Sequence, residues 1–193
     1  LRVCVTAGPT REIIDPVRFI SNNSTGKMGY AIAKEAMLRG AEVTLISGKV
    51  NIAPVPFVNM VNIVSAKDMY YEVMKASEYS DIIIKAAVAD YRPATVSDNK
   101  IKKKDGDMSI ELTRTEDIIG TLGKNKKNNN FLCGFSMETE NMLENSKAKL
   151  EKKNLDMIVA NNVKVKGAGF GTDTNVVTII TKNDCKELPI MSK

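Results

Sequence analysis

The 193-residue chain contains no histidine and no tryptophan. Without histidine there is no Ser-His-Asp triad, no imidazole general base and no imidazole metal ligand. Any chemistry must therefore rest on Lys, Arg, Asp, Glu, amides, backbone N–H groups and oxygen-bound ions. That inventory suits phosphoryl or nucleotidyl transfer, where positioning and electrostatics do most of the work. Aromatic residues make up only 5% of the chain, so the stacked platforms that bind single-stranded nucleic acid are scarce. The three cysteines, Cys4, Cys133 and Cys185, are odd in number, widely spaced and not grouped as metal ligands; they read as reduced, buried thiols. No apolar run is long enough for a membrane span, and no basic-then-apolar leader precedes the first strand-like stretch, which points to a cytoplasmic protein.

What the chain does have is a 43% hydrophobic content, enough for one sizeable core, and a formal net charge of +5. One domain spanning 1–193 is expected. The positive balance suggests an anionic partner, nucleic acid or a polyphosphate, and the shortage of aromatics favours the small polyanion. Because the strand-like pattern begins almost at Leu1, the chain reads as a piece of a longer protein.

Short β-branched runs alternate with helical patterns. Strands are predicted at 2–8, 42–47, 60–64, 80–90, 109–113, 131–137, 155–161 and 176–181, and helices at 26–40, 66–77, 116–125 and 140–153. This order predicts an α/β fold: a three-layer, Rossmann-like domain with a mostly parallel central sheet. Ligands of such sheets bind beyond the carboxyl ends of the strands. The unusual segments 8–27, 85–100, 134–139 and 161–171 fall there.

The stretch "FISNNSTGKMG" (19–29) resembles a phosphate loop but fails the Walker pattern: Met28 follows Gly26-Lys27, and Ser21 stands where the first glycine belongs. No G-x-G-x-x-G follows the first strand either. Ser24 or Thr25 can cap the helix, and Ser24-Thr25-Gly26-Lys27 can equally offer hydroxyls and free N–H groups to an anion. Arg11, Asp15, Arg18, Asn22 and Asn23 make the preceding segment polar, either as paired surface charges or as a working loop. "KAAVADYRP" (85–93) ends a strand in small residues and then Asp90, which caps a turn or positions Mg²⁺ or a nucleotide hydroxyl. "NKIKKK" (99–104), within the polar stretch 91–108, is a solvated charge run or a lid whose lysine swings over phosphate. Lys149 and Lys153 share one helical face at i, i+4.

Taken in order, "TAGPTREIIDPVRFISNNSTGKMGYAIAKEAMLRGAEVTLISG" (6–48), "KAAVADYRPATVSDNKIKK" (85–103), "CGFSMET" (133–139) and "KLEKKNLDMIVAN" (149–161) closely resemble the phosphopantothenoylcysteine synthetase family, also called phosphopantothenate–cysteine ligases. The resemblance runs from residue 1 to about 181. It implies a homodimeric, Rossmann-like ligase domain, often the carboxyl-terminal half of a bifunctional flavoprotein with a decarboxylase. It further implies a two-step reaction on 4′-phosphopantothenate and L-cysteine, with Mg²⁺ and a nucleoside triphosphate. The wording "GKMG" and "KKNLD" favours CTP over the ATP generally used by eukaryotic members.

Carried over residue by residue, the resemblance places Asn22, with Arg18 close by, on the acyl group and acyl-nucleotide. It places Ser24 and the N–H groups around Gly26 on phosphates, and Ala86, Ala87 and Asp90 in the nucleotide pocket. Lys100 becomes the lid lysine that stabilises charge during nucleotidyl transfer. Glu116, Asp117, Ile118 and Ile119 form a nucleotide-contacting turn, and Phe135, Lys149 and Lys153 contact base and triphosphate. Thr115-Glu116-Asp117 stands where the family usually has Asn-Pro-Asp, and "GFSMET" replaces the commoner "GFAAET"; both departures touch the pocket lining. Two other classes, a nicotinamide or flavin oxidoreductase without its glycine fingerprint and a non-catalytic nucleotide or RNA binder using the basic lid, remain as alternatives at this point.

Overall fold

The computed structural model describes residues 1–193 except 87, 104, 128, 138–140, 163–164 and 166–170. The strands are β1 (Arg2–Ala7), β2 (Glu12–Ile13), β3 (Phe19–Ile20), β4 (Glu42–Ser47), β5 (Asn59–Asn62), β6 (Ile82–Lys85), β7 (Tyr91–Pro93), β8 (Leu112–Arg114), β9 (Phe131–Met137), β10 (Met157–Asn161), β11 (Thr174–Asn175), β12 (Val177–Thr181), β13 (Cys185–Glu187) and β14 (Met191–Ser192). The helices are α1 (Lys27–Leu38), α2 (Ala66–Ser77), α3 (Ile118–Lys124) and α4 (Met142–Lys152). Eight strands form the central sheet in the order β13-β12-β10-β9-β6-β1-β4-β5. All neighbours are parallel except β10 with β12 and β12 with β13.

Strand period decides which side chains meet which layer. In β1, Val3, Val5 and Ala7 point to one face, where they pack with Ala33 of α1 and with Val43 and Leu45 of β4. Cys4 points to the other and joins Ile46, Ile83 and Leu132, together with Met69 and Val73 of α2, Ile118 and Leu122 of α3, and Leu150 of α4. Each such aliphatic side chain stabilises the fold by about 1.5–3 kcal/mol on burial. α1 thus covers one side of the sheet and the other helices cover the opposite side, giving three layers.

The parallel core follows the predicted order closely, and α2 matches its predicted range. Differences cluster where short polar strands pair locally. Segment 9–25, expected as loop, contains the β2–β3 antiparallel hairpin. Tyr91–Pro93, expected at the start of the lid, is strand β7 and pairs with β8, which lies at 112–114 rather than 109–113. Neither Ser24 nor Thr25 caps α1: the cap is Gly26, with φ of 82° and no side-chain bond. Cys4 and Cys133 are buried, and burial pushes both thiols up to about 12; Cys185 is exposed on edge strand β13, a correction to the expected buried thiol. No helix among the described residues is long and apolar enough to cross a membrane.

Candidate active site at the sheet switch point

From β1 the chain passes through α1 to β4 on one side, and after α2 it returns to β6 on the other side of β1. Such a reversal opens a crevice between two strand ends. Here it becomes a cleft of about 400 Å³ lined by Ala7 at the end of β1 and Gly8 after it, Asn22 to Gly29 except Asn23, Lys85 at the end of β6 and Ala86, Val88 and Asp90 after it, and Phe135, Ser136 and Lys149. A second lobe of about 360 Å³ shares Lys85, Val88, Asp90, Phe135 and Lys149 and extends to Arg114, Glu116, Asp117, Ile118, Ile119 and Lys153.

Glycine geometry shapes the floor. Gly29, one turn into α1, would place a Cβ 2.5 Å from the Ala7 Cβ and 2.9 Å from the Thr6 carbonyl oxygen, so only glycine lets α1 approach β1 this closely. Gly26 sits at positive φ, and a Cβ there would meet Val50 at 2.8 Å. Asn22 Oδ1 accepts the Ser24 N–H at 2.9 Å, and Ser24 Oγ accepts the Gly26 N–H at 3.4 Å. These two bonds fix the turn from within. The α1 N-terminus, with the positive end of its dipole, then faces the cleft.

The turn after β6 is held by three threonines. Thr6 Oγ1 accepts the Ala86 N–H and donates to the Ala86 carbonyl, both at 2.8 Å; Thr10 Oγ1 accepts the Ala89 N–H at 3.1 Å; Thr115 Oγ1 donates to the Ala89 carbonyl at 2.6 Å. Thr6 and Thr10 are fully buried. Nothing in the linear pattern singles them out, because their partners lie far away in sequence.

Most cations at the site are already engaged. Lys27 Nζ donates to the Gly171 carbonyl at 2.6 Å and to Asp173 at 2.7 Å, and this bond holds the Asp173 carboxyl below its ordinary range. Lys149 Nζ donates to the Phe135 carbonyl at 3.1 Å. Lys153 Nζ meets Asp117 Oδ1 at 2.9 Å, while Asp117 also caps α3 by accepting the Gly120 N–H. Burial pushes the Asp117 carboxyl upward, but these two donors outweigh it and leave it below the usual range. Glu116 Oε2 is enclosed without a hydrogen-bond partner among the described residues.

The structure brings together Asn22, Ser24, Gly26, Ala86, Asp90, Glu116, Asp117, Ile118, Ile119, Phe135, Lys149 and Lys153 around the two lobes. Ala87 lies outside the described residues, as does most of the 161–171 segment. Arg18 and Lys100 do not line either lobe. Arg18 Nε donates to the buried Asp15 carboxylate at 3.0 Å, and its terminal nitrogen donates to the Ile101 carbonyl at 2.9 Å. Asp15 also accepts the Ile101 N–H at 3.1 Å, and the Arg18 guanidinium holds its carboxyl well below the usual range. The pair therefore clamps the backbone beside Lys100, which is itself exposed. Lys85, Asn161, Asn175 and Lys193 line the first lobe without having been singled out; for Lys85 alone the sequence held a signal, a lysine in strand register with the core residue Ile83.

Fold and site together define a Rossmann-like α/β domain with a cation-rich cleft at its switch point. The chain belongs to the DNA/pantothenate metabolism flavoprotein C-terminal domain family, which matches residues 1–193. It is 55% identical to the coenzyme A biosynthesis bifunctional protein CoaBC of Bacillus subtilis (strain 168), over 99% of this chain and 48% of that protein. The chain thus spans about half the length of the curated relatives it matches. Among solved structures, the C-terminal domain of a coenzyme A biosynthesis bifunctional protein CoaBC superposes with a TM-score of 0.83 at 48% identity, covering 99% of this chain and 88% of that one. A DNA/pantothenate metabolism flavoprotein from Streptococcus pneumoniae gives a TM-score of 0.83 at 25% identity, covering 97% and 92%.

Proposed function

We propose that the domain is a phosphopantothenate–cysteine ligase acting in coenzyme A biosynthesis, with CTP as co-substrate. The carrying observation is the convergence of Asn22, Ser24, Gly26, Asp90, Phe135 and Lys149, scattered across the chain, on one cleft in a close relative of CoaBC proteins. In the first step the carboxylate of 4′-phosphopantothenate attacks the α-phosphorus of CTP, forming an acyl-cytidylate and releasing pyrophosphate. In the second, the amine of L-cysteine displaces CMP and an amide forms. No protein nucleophile is required. What the reaction does require is cancellation of charge as a carboxylate meets a triphosphate, and orientation of the two.

The chain supplies both. The α1 N-terminus and Ser24 cradle phosphate oxygens, Lys149 and Lys153 offset charge from the opposite wall, and Asn22 keeps its amide Nδ2–H donors for the acyl oxygen because only its Oδ1 is used in the turn. Lys100 reaches the reacting phosphate when its segment closes over filled lobes, excluding water from the anhydride. Among the described residues no three metal-ligating side chains cluster. Mg²⁺, an ion commonly held by substrate phosphates, waters and one or two carboxylates, would be held here by Asp90, which lines both lobes. Bound there, Mg²⁺ would neutralise phosphate charge. A homodimer, and a flavin-dependent decarboxylase as fused or associated unit, complete the proposal.

The test is pyrophosphate release with 4′-phosphopantothenate, L-cysteine and either CTP or ATP, each component omitted in turn. Release that needs phosphopantothenate and CTP, with amide formed only when cysteine is added, is the expected outcome. Release independent of phosphopantothenate would overturn the reading.

A further inference from the structure

Lys85 ends β6 at the point where both lobes of the cleft meet, and it lines each of them. Strand alternation places it on the same face as Ile83, which is fully buried, so a cation stands where the pattern calls for a core residue. Opposite it in register on β9 is Gly134, which also lines the second lobe. Lys27, Lys149 and Lys153 have hydrogen-bond or ion-pair partners, whereas the Lys85 ammonium has none among the described residues. A partly buried cation without a counter-ion is costly unless something else completes it.

The charged groups around it come from every neighbouring element: Asp90 after β6, Asp117 at the α3 cap, and Lys149 and Lys153 on and after α4. Further along the lobes stand Lys27, Lys193, Arg114, Glu116 and the Tyr91 phenol. Asp117 is already bonded to Lys153, and Asp90 is exposed. The balance around Lys85 therefore calls for an added negative charge.

We infer that the Lys85 ammonium is a direct ligand for a phosphate oxygen of the nucleotide where the two lobes of the cleft join. This deepens the ligase reading and rests on it. Burial draws the Lys85 ammonium down to about 8, with Lys149 and Lys153 adding to the effect and Asp90 and Asp117 opposing it. A bound phosphate favours the charged form and raises it again. Anion binding is then linked to proton uptake, and affinity falls as pH rises through about 8. Arginine at this position would keep the charge without the titration.

The experiment is calorimetric titration of CTP, and separately of inorganic pyrophosphate, into wild type, Lys85→Met and Lys85→Arg from pH 6.5 to 9.5. The pH limits lie about 1.5 units either side of the free-state value, wide enough to span one titration. Relative to Lys85→Arg, wild-type affinity should fall about tenfold between about pH 7 and pH 9, the change expected when one bound proton is needed. Lys85→Met should bind about tenfold or more weakly at pH 7 and Lys85→Arg nearly as well as wild type, and both should lack the wild-type step, leaving only the titration of the phosphate itself, which all three share. Thermal melts of the unliganded variants identify any that fail to fold, and Lys85→Arg still reports the pH step if Lys85→Met is lost. A wild-type profile that coincides with that of Lys85→Arg, or wild-type affinity in folded Lys85→Met, would each overturn the inference. Failure of phosphopantothenate-dependent pyrophosphate release would instead overturn the ligase reading, while pyrophosphate binding would still report on Lys85.

Discussion

Asn22 illustrates how one side chain divides its capacity. Its Oδ1 accepts the Ser24 N–H, which leaves its Nδ2–H donors available to a ligand. Asn22→Asp keeps the acceptor and the turn but replaces those donors with a negative charge facing an acyl oxygen. CTP binding should remain within about threefold of wild type, while captured acyl-cytidylate in a cysteine-free single turnover should drop about 10²-fold, the scale of one lost oxyanion donor. Normal intermediate levels would count against the assignment. Gly29 is the steric counterpart. Its missing Cβ lets α1 rest on Ala7 and the Thr6 carbonyl, so Gly29→Val must push the helix off β1. A loss of about 1–3 kcal/mol in denaturant unfolding is expected, the usual range for overpacking.

Among the elements, the segment beyond β7 matters most, because it carries Lys100 while its base is bound elsewhere. Asp15 and Arg18, both in the β2–β3 hairpin, hold the Ile101 N–H and carbonyl. The exposed Lys100 side chain stands next to that anchor. Lys100→Met should lower the single-turnover rate of acyl-cytidylate formation by about 10²-fold with little change in CTP affinity. An unchanged rate would remove Lys100 from the chemistry. Asp15→Ala should act at one remove: amide exchange at Ile101 should speed up markedly, because an exchange-protecting acceptor is gone. Protection of Ile101 equal to wild type would mean that the clamp is not what orders this segment. The Asp15 carboxyl lies well below its unfolded value, so its contribution to stability is present above the ordinary carboxylate range and is lost as pH falls toward its depressed value.

At the scale of the whole molecule, several large apolar side chains of the two small hairpins lie outside the core. Val17 and Phe19 near β3 and Leu112 of β8 are exposed, while the ordered interior is complete without them. These strand pairs form two-stranded sheets separate from the central one. A second copy of the chain is the expected cover. Sedimentation equilibrium should give about twice the 21.2 kDa chain mass, and a concentration-independent monomer would exclude the dimer.

The amino-acid sequence by itself determined the alternation of strands and helices, because period-two and period-3.6 hydrophobic patterns are local properties. It also marked the cleft residues, because small residues, an isolated Asp90 and a lysine pair break those patterns at strand ends. Only the tertiary structure decided that Gly26 rather than Ser24 caps α1, that Thr6 and Thr10 brace the β6 turn, that Arg18 serves Ile101, and that Lys85 has no counter-ion among the described residues. Each of these depends on partners about 50–90 residues away or on the close approach of two backbones, and no window of sequence contains that distance.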